Sequence, residues 1–361
     1  MAKKHQEVLD YLEQLISNGT ISDGDALPGE LELSKTLSVS RNTVRHALNQ
    51  LAQKYSIERT PGRGTIFHEK KPDDQANRAV GIINSSLMYT IYPELVHGIE
   101  DGLYRGGFSM LLANGNYDPE KERESARRML AHDVAGLIVE PMNSALLTPD
   151  NEFVRILQSA NVPVITTNCT IEGSRVSYIT MDDEWIGYRG VEYLVAKGHR
   201  RIACLFKSDT QAGLLRLEGY YRGLTAAGIS HDENIVCTYT QEDEPVLPGD
   251  FFTRKILDST ADDRPTAFLY FNDQTALQAY NAFADYGLSI PDDASIMGID
   301  NIPEAAHVRP GLTTFNHPKY LMGKLAAEMM LARLGPHNDR TNYGVVMKPE
   351  IVERASITTL K

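Results

Sequence analysis

Arg41 and Arg45 lie four residues apart in the stretch "SVSRNTVRHALNQL", where Val44, Ala47, Leu48 and Leu51 hold the complementary helical spacing. Side chains at i and i+4 share one helix face, about 6 Å apart. Both guanidiniums therefore leave the side opposite the apolar stripe, with Asn42, His46 and Asn49 beside them. Arg forms paired hydrogen bonds with guanine and Asn with adenine. Ser40, a good N-cap, and Thr43 suit phosphate oxygens, as do the free N–H groups of a helix start. Downstream, "PGRG" sets Arg63 between Gly62 and Gly64, and those glycines let a turn be tight and come close to another backbone. Two arginines alone would be an ordinary solvated helix face. Here they sit in a basic segment: Lys35, Arg41, Arg45, Lys54, Arg59, Arg63 and Lys70 face only Glu58 and Glu69, in a chain whose net charge is −12. Such an asymmetry points to a local nucleic-acid contact in a protein too acidic to bind polyanions in general.

A second set of polar residues stands further on. Ser85, Asn114, Glu140, Asn168, Lys207, Asn272 and Asp300 each close a short β-branched run. One polar residue after a strand is an ordinary turn former or cap. Seven from successive strands point to a shared cleft, because ligands of parallel α/β sheets collect at the carboxyl ends of the strands. Carboxylates, amides and cations pair with vicinal hydroxyls, and an aromatic face such as Tyr89, Tyr92 or Phe271 covers the C–H side of a sugar ring. The expected ligand is a small polyol or sugar.

The elements that must position these groups follow from periodicity. Val8, Tyr11, Leu12, Leu15 and Ile16 form one helical stripe, and "NGTISDGDALPGE" ends that helix. A short helix with Leu31, Leu33 and Leu37 comes next, then the Arg41 helix, then "SIERT" and "TIFHE" as a hairpin. Three helices and a hairpin make a winged helix-turn-helix. The third helix of that arrangement enters the DNA major groove, and Arg63 lies in the adjacent minor groove or on backbone. "EKKPDDQANR" is polar and lacks periodicity, as a linker does. From Ala79, the runs "AVGIIN", "FSMLLAN", "AGLIVEP", "VPVITTN", "RIACLFKS", "TAFLYFND" and "ASIMGID" alternate with helical stretches. That is repeated βα, hence parallel sheets covered on both faces. The expected fold class is α/β, with domains at 1–68 (winged helix-turn-helix), 69–78 (linker) and 79–361 (two Rossmann-like lobes). The lobes are expected at 79–178 with 313–339, and at 179–312 with 340–361.

Other chemistry is disfavoured. Asp182, Asp183 and Glu184 could be a hydrolytic carboxylate cluster, but they open an amphipathic helix and read as capping acids. There is no G-x-S-x-G elbow, no H-x-x-x-H metal pair and no phosphate loop. His199 reads as a helix-to-strand turn residue. The three cysteines are far apart and suit a reducing cytoplasm, and no apolar run spans a bilayer. The expectation is no enzyme, no cofactor, no metal and no membrane contact.

The wording also resembles known families. "LPGELELSKTLSVSRNTVRHALNQL" followed by "IERTPGRGTIF" is similar to the GntR-type winged-helix domain over residues 1–68. The resemblance implies DNA contacts from Glu30, Ser40, Arg41, Asn42, Thr43, Arg45 and His46, and from Gly62, Arg63 and Gly64 in the wing. It departs at Gly29, where Ser or Thr is usual and whose absence weakens the second helix start, and at "KYSI", where a Gly usually precedes the apolar residue. "RLEGYYRGL", "FNDQTALQAYNAFADYGLSIPDDASIMGIDN" and "RPGLTTFNHPKYLMGKLAAEMML" resemble the effector-binding domain of LacI/GalR regulators, a fold akin to periplasmic sugar-binding proteins. That resemblance runs from Ala79 to Ser356. It implies Ser85, Asn168, Arg216, Asn272, Asp273, Asp300 and His317 as effector contacts, with Tyr92 alongside. At Asn168 many relatives carry Asp. The pairing of this head with this body resembles a narrower group of sugar repressors of Gram-positive bacteria. It implies L-arabinose as effector and Glu140 and Lys207 as further sugar contacts.

The function implied is a sugar-responsive repressor, a homodimer on a palindromic double-stranded operator and released by the sugar. The helices after Tyr92 and after Tyr117 are the expected dimer surface. The alternative is a sugar-binding or sugar-processing protein whose N-terminal helices serve only assembly.

Overall fold

In the computed structural model, residues 2–22, 24–54, 56–60, 64–68, 79–87, 90–174, 176–260, 263–335 and 341–360 are described. The linker expected at 69–78, together with Gly62, Arg63 and Tyr89, lies outside them. The chain divides into two compact units, Met1–Asn77 and Arg78–Lys361.

In the first unit, α1 (Ala2–Ser17), α2 (Glu30–Thr36) and α3 (Arg41–Lys54) precede a hairpin of β1 (Ser56–Thr60) and β2 (Gly64–His68). The helices close on Val8, Leu12, Leu33, Val44, Ala47, Leu48, Leu51 and Phe67, the stripes that the periodicity predicts. The strands pair antiparallel, Thr60 opposite Gly64. Residues 24–27 run along β2, with Leu27 N donating to Thr65 O at 2.7 Å and Phe67 N to Asp25 O at 2.8 Å. Ser40 caps α3, its Oγ accepting from Thr43 N at 3.2 Å. At the head of α2, Gly29 is extended and offers no side-chain cap, the weakness that the departure from the GntR pattern implies.

The second unit holds two six-stranded sheets. The first contains β3 (Ala79–Asn84), β4 (Ser109–Asn114), β5 (Gly136–Val139), β6 (Val164–Thr167) and β7 (Ser177–Met181). Packed on it are α4 (Tyr92–Arg105) and α5 (Pro119–Ala131), with α6 (Glu152–Gln158) beside α5. The chain then crosses into the second lobe, where α7 (Asp183–Ala196), β8 (Ile202–Lys207), α8 (Gln211–Ala226), β9 (Val236–Tyr239), α9 (Pro248–Ser259), β10 (Ala267–Tyr270), α10 (Asp273–Asp285), β11 (Ser295–Ile299), α11 (Pro303–His307) and β12 (Thr313–Phe315) follow. It returns through α12 (Lys319–Leu334) to β13 (Gly344–Met347), then crosses a last time to β14 (Ile351–Val352). Strand orders are β13-β7-β6-β5-β3-β4 and β14-β12-β11-β10-β8-β9. All neighbours are parallel except β12 and β14.

Three boundaries drawn from the sequence are corrected here. The first lobe does not end at 178, because β7 continues to Met181 within the first sheet. Thr313–Phe315 pairs with β11 in the second sheet, not the first. Gly344–Met347 pairs with β7 in the first sheet, not the second. The crossings therefore fall at 182, 316–318 and 348–350, between strands too short to announce themselves by periodicity. Pairing partners, not local sequence, decide their lobe.

Two close approaches set the site. A Cβ on Gly213 would stand 1.7 Å from Lys207 O, so only glycine lets α8 begin against the end of β8. A Cβ on Gly219 would stand 1.9 Å from Glu184 O, so α7 and α8 cross in backbone contact. That crossing brings Asp183 to Arg216.

Candidate functional site

On the head, Arg41, Asn42, Arg45 and His46 are exposed on α3 while Val44, Ala47 and Leu48 are buried. Arg45 does not wave freely. Its Nε and Nη2 donate to the Glu30 carboxylate on α2 at 3.3 and 3.1 Å. Glu30 thus aims the guanidinium from a neighbouring helix. Ser40 and Thr43 share a 2.8 Å hydroxyl contact at the helix start. Gly64 opens β2 opposite Thr60.

In the body a cavity of about 100 Å³ lies at the carboxyl ends of the strands of both sheets, lined among others by Tyr92, Glu140, Lys207, Arg216, Asp300 and His317. Ser85, Asn168 and Asn272 also line it, so nine of the ten residues expected there are brought together. Asp273 is the exception. Its carboxylate takes Ile302 N at 2.9 Å and Thr314 Oγ1 at 2.5 Å, which ties α10 to the loop after β11. It positions the wall and does not form it. Asn272 lines the cavity but spends its Oδ1 capping α10 through Thr275 N at 2.9 Å. Asn114, a further strand-end residue, is absent from the lining and accepts from Asn116 N at 3.1 Å as a turn former.

The wall from the first lobe is one hydrogen-bonded chain. Tyr92 Oη donates to Glu140 Oε1 at 2.9 Å, so the Ser85 hydroxyl, 2.6 Å away, donates to Tyr92. Asn168 Nδ2 donates to Glu140 Oε2 at 3.1 Å, which leaves Asn168 Oδ1 as acceptor for His317 Nε2 at 3.1 Å. That order fixes the histidine tautomer: Nε2 carries the proton and Nδ1 is a bare acceptor. Nδ1 is buried and has no protein partner. Burial, with the Lys319 and Arg216 cations, pulls His317 down to about 3, so the ring stays neutral. Burial pushes Glu140 up to about 7, although Tyr92 and Asn168 hold it back. Burial likewise lifts Asp300 to about 6, against Arg216 and Lys319. Asp300 sits at φ 114 and Asn168 at φ 57. Left-handed backbone is sparsely populated for side chains other than glycine, and it turns both groups at the strand ends where the cavity lies.

The second lobe supplies cations that are already engaged. Arg216 Nε donates to Asp183 Oδ1 at 2.8 Å, and its Nη1 to Phe271 O at 2.6 Å. Its guanidinium lies 4.8 Å from the Phe271 ring centre. Lys207 Nζ donates to Gln241 Oε1 at 2.5 Å, stands 3.5 Å from Glu244 Oε1, and lies 5.3 Å over the Tyr117 ring. Burial lowers the Lys207 pKa against the pull of Asp209 and Glu244. Asp209 Oδ2 accepts Gln241 N at 2.7 Å, while its buried Oδ1 has no partner.

Tyr117, Asp183, Asp209 and Gln241 line the cavity without having been singled out for it. The capping signal at Asp183 tells only part of its role. Asp182 is the N-cap of α7, accepting Trp185 N at 3.1 Å, so the capping reading holds for one acid and hides its neighbour, which is buried on Arg216. His199 is buried as a structural group between Thr266 Oγ1 and Thr358 O. Among the described residues no cluster of His, Cys, Asp and Glu is arranged to hold a metal. No described helix is long and apolar enough to cross a membrane.

An exposed basic helix on a winged head and a ligand-sized cavity between two lobes make the architecture of a transcription regulator. Comparisons with known proteins agree. Residues 4–67 match the bacterial regulatory proteins of the gntR family, and residues 191–357 match the periplasmic binding protein-like domain. The chain is 31% identical over 352 residues to the arabinose metabolism transcriptional repressor of Geobacillus stearothermophilus, covering 97% of this chain and 95% of that one. It is 28% identical to the repressor of the same name from Halalkalibacterium halodurans, covering 100% and 98%. Among solved structures it is similar to a transcriptional regulator CelR–cellobiose complex, with TM-score 0.68, 25% identity and coverage of 88% and 90%. The chain belongs to the bacterial transcriptional repressors that join a GntR-type head to a LacI/GalR-like body.

Proposed function

We propose that this repressor binds a palindromic operator as a homodimer and is released by a neutral monosaccharide, L-arabinose. The carrying observation is the cavity with its two buried acceptors, His317 Nδ1 and Asp209 Oδ1, that no protein group satisfies. A buried acceptor left unpaired costs free energy, and ligand hydroxyls donating to both would remove that cost. The cavity, about 100 Å³ and walled by polar groups from both lobes, suits a small polyhydroxylated guest such as a monosaccharide. The chemistry also favours a neutral one. Lys207 and Arg216 are held by Glu244 and Asp183, and the carboxylates of Asp209 and Asp300 add negative potential. A sugar phosphate would meet acids with no cation to spare. The name of the pentose comes from what the similar repressors are called.

One winged head reads too few base pairs for useful specificity, and a twofold dimer doubles them on a palindrome. The sugar must bind the released conformation more tightly than the DNA-bound one, since equal affinity shifts nothing. A coupling of about 1–3 kcal/mol weakens operator binding some 5- to 150-fold. Family membership weighs against the alternative in which the N-terminal helices serve only assembly. Calorimetry against L-arabinose, its epimers, hexoses and a pentose phosphate, followed by operator binding with each, tests the reading. Tight binding of one neutral pentose with release of DNA is expected. A phosphate ester binding best, or a sugar that binds and leaves operator affinity unchanged, overturns it.

A further inference from the structure

We propose that Gln211 is a clasp that holds the two lobes shut over the bound effector and sets its rate of escape. Three crossings join the lobes covalently, at 182, 316–318 and 348–350. Away from them, the first residue of α8 reaches from the second lobe into the first. Gln211 Oε1 accepts from Thr170 N at 2.7 Å and from Thr170 Oγ1 at 3.2 Å. Gln211 Nε2 donates back to Thr170 O at 3.4 Å. The Gln211 main-chain N donates to Ser144 Oγ at 2.9 Å, and next to it Ala145 N donates to Asp209 O at 3.4 Å.

A carboxamide carries donor and acceptor on one planar group. It therefore pairs with the N–H and C=O of a single residue much as a neighbouring strand does. The anchors in the first lobe are chosen by position. Thr170 lies two residues after Asn168, and Ser144 four after Glu140, so each is on a loop whose base forms the cavity wall. On the other side, Asp209 and Thr210 flank the clasp and also line the cavity. Opening the lobes requires these bonds to break, and closing them aligns both walls. Gln211 is not itself among the residues that line the cavity, so it is a positioning residue: it acts through Thr170 and Ser144.

This inference rests on the effector reading above, and the test separates the two. Full-length wild type, Gln211→Ala and Gln211→Met are compared by stopped-flow binding of L-arabinose. Met keeps the length and helix preference of Gln without its hydrogen bonds, so it guards against a folding defect. Losing the amide pair should raise the dissociation rate about tenfold with the association rate nearly unchanged, because entry occurs while the lobes are apart. Unchanged dissociation rates in both variants overturn the clasp, as does a mere fall in the fraction of active sites. Separately, labels attached through R128C on α5 and E218C on α8 report the distance between lobes without ligand. The clasp predicts a wider distribution in Gln211→Met than in the parent. If the wild type binds no monosaccharide, the effector reading fails and this distance alone decides the clasp: identical distributions overturn it.

Discussion

Head and body each carry an arginine gripped by a carboxylate from a different helix, and the two pairs behave in opposite ways. Arg45 and Glu30 meet at 3.1 Å with side chains 56% and 32% exposed. Arg216 and Asp183 meet at 2.8 Å with 5% and 3% exposed. In the head, water screens the pair and competes for both partners, so the bond orients Arg45 at little gain in stability and can be exchanged for another partner. In the body, desolvation has already been incurred for both ions, and neither can be released without stranding the other. The same two functional groups thus make a contact that is held ready on the surface and a wall that is fixed in the interior. A DNA-reading surface and a cavity for a small ligand require this difference of their charged residues.

Breaking the buried pair gives the largest expected effect. Asp183→Ala leaves the Arg216 guanidinium enclosed beside Phe271 without its counter-ion, and should destabilise the body by about 3–5 kcal/mol. Denaturant unfolding followed at the body transition measures it. A loss no greater than that of Arg45→Ala would mean that the buried and exposed pairs do not differ in kind.

The second test uses protons. Glu140 is raised from 4.5 to about 7 by burial. A carboxyl whose folded pKa is raised adds stability below its unfolded pKa, and that stability is lost as pH climbs to the folded value. His317, lowered from 6.5 to about 3, works the other way: its contribution is present above 6.5 and is lost as pH falls toward 3. Glu122, raised to about 7, and Asp273, raised to about 8, add to the loss on the alkaline side. Comparing wild type with Glu140→Gln cancels these others. The stability advantage of the wild type should shrink between pH 4.5 and 7, by on the order of 3 kcal/mol. Thermal melts at several pH values report it, and a difference that does not vary with pH would mean that water reaches Glu140 freely.

Much of this was legible in residue order because it is local. The α3 face needs only a spacing of four and an apolar complement, and Ser40 announces its start. Strand ends bearing Glu140, Asn168, Lys207, Asn272 and Asp300 are marked by β-branched runs that stop at a polar residue. What stayed hidden depends on pairing across distance. β9, β12, β13 and β14 are two to four residues long, and without β9 the loop that holds Gln241 over Lys207 could not be placed. Asp183 and Asp273 show the two ways a single acid misleads. Asp183 looks like a cap in the sequence and is a wall. Asp273 looks like a wall and is a brace, because Ile302 N and Thr314 reach it only after the second sheet has formed.

On the head, Arg45→Ala should show the opposite pattern. The side chain is more than half exposed and its partner Glu30 is about a third exposed, so melting should scarcely change. Operator affinity should fall tenfold or more if Arg45 pairs with a base, and L-arabinose affinity should stay put. Electrophoretic mobility shifts and calorimetry on one preparation read both. A fall in operator affinity that appears equally with unrelated DNA would reassign Arg45 from a base to the phosphates.

Smallest of all is a gain. Gly29 precedes α2 in extended conformation, φ −64 and ψ 152, and a Cβ there would meet no atom within 4 Å. Gly29→Ser supplies the absent cap oxygen to the first turn, which should add a few tenths of a kcal/mol to the head. Glu30 follows directly and aims Arg45, so a firmer start to α2 also tests whether that aim is already complete. Unchanged operator affinity with a slightly higher melting temperature means that it is. Tighter operator binding means that fraying of α2 costs the free repressor part of its grip.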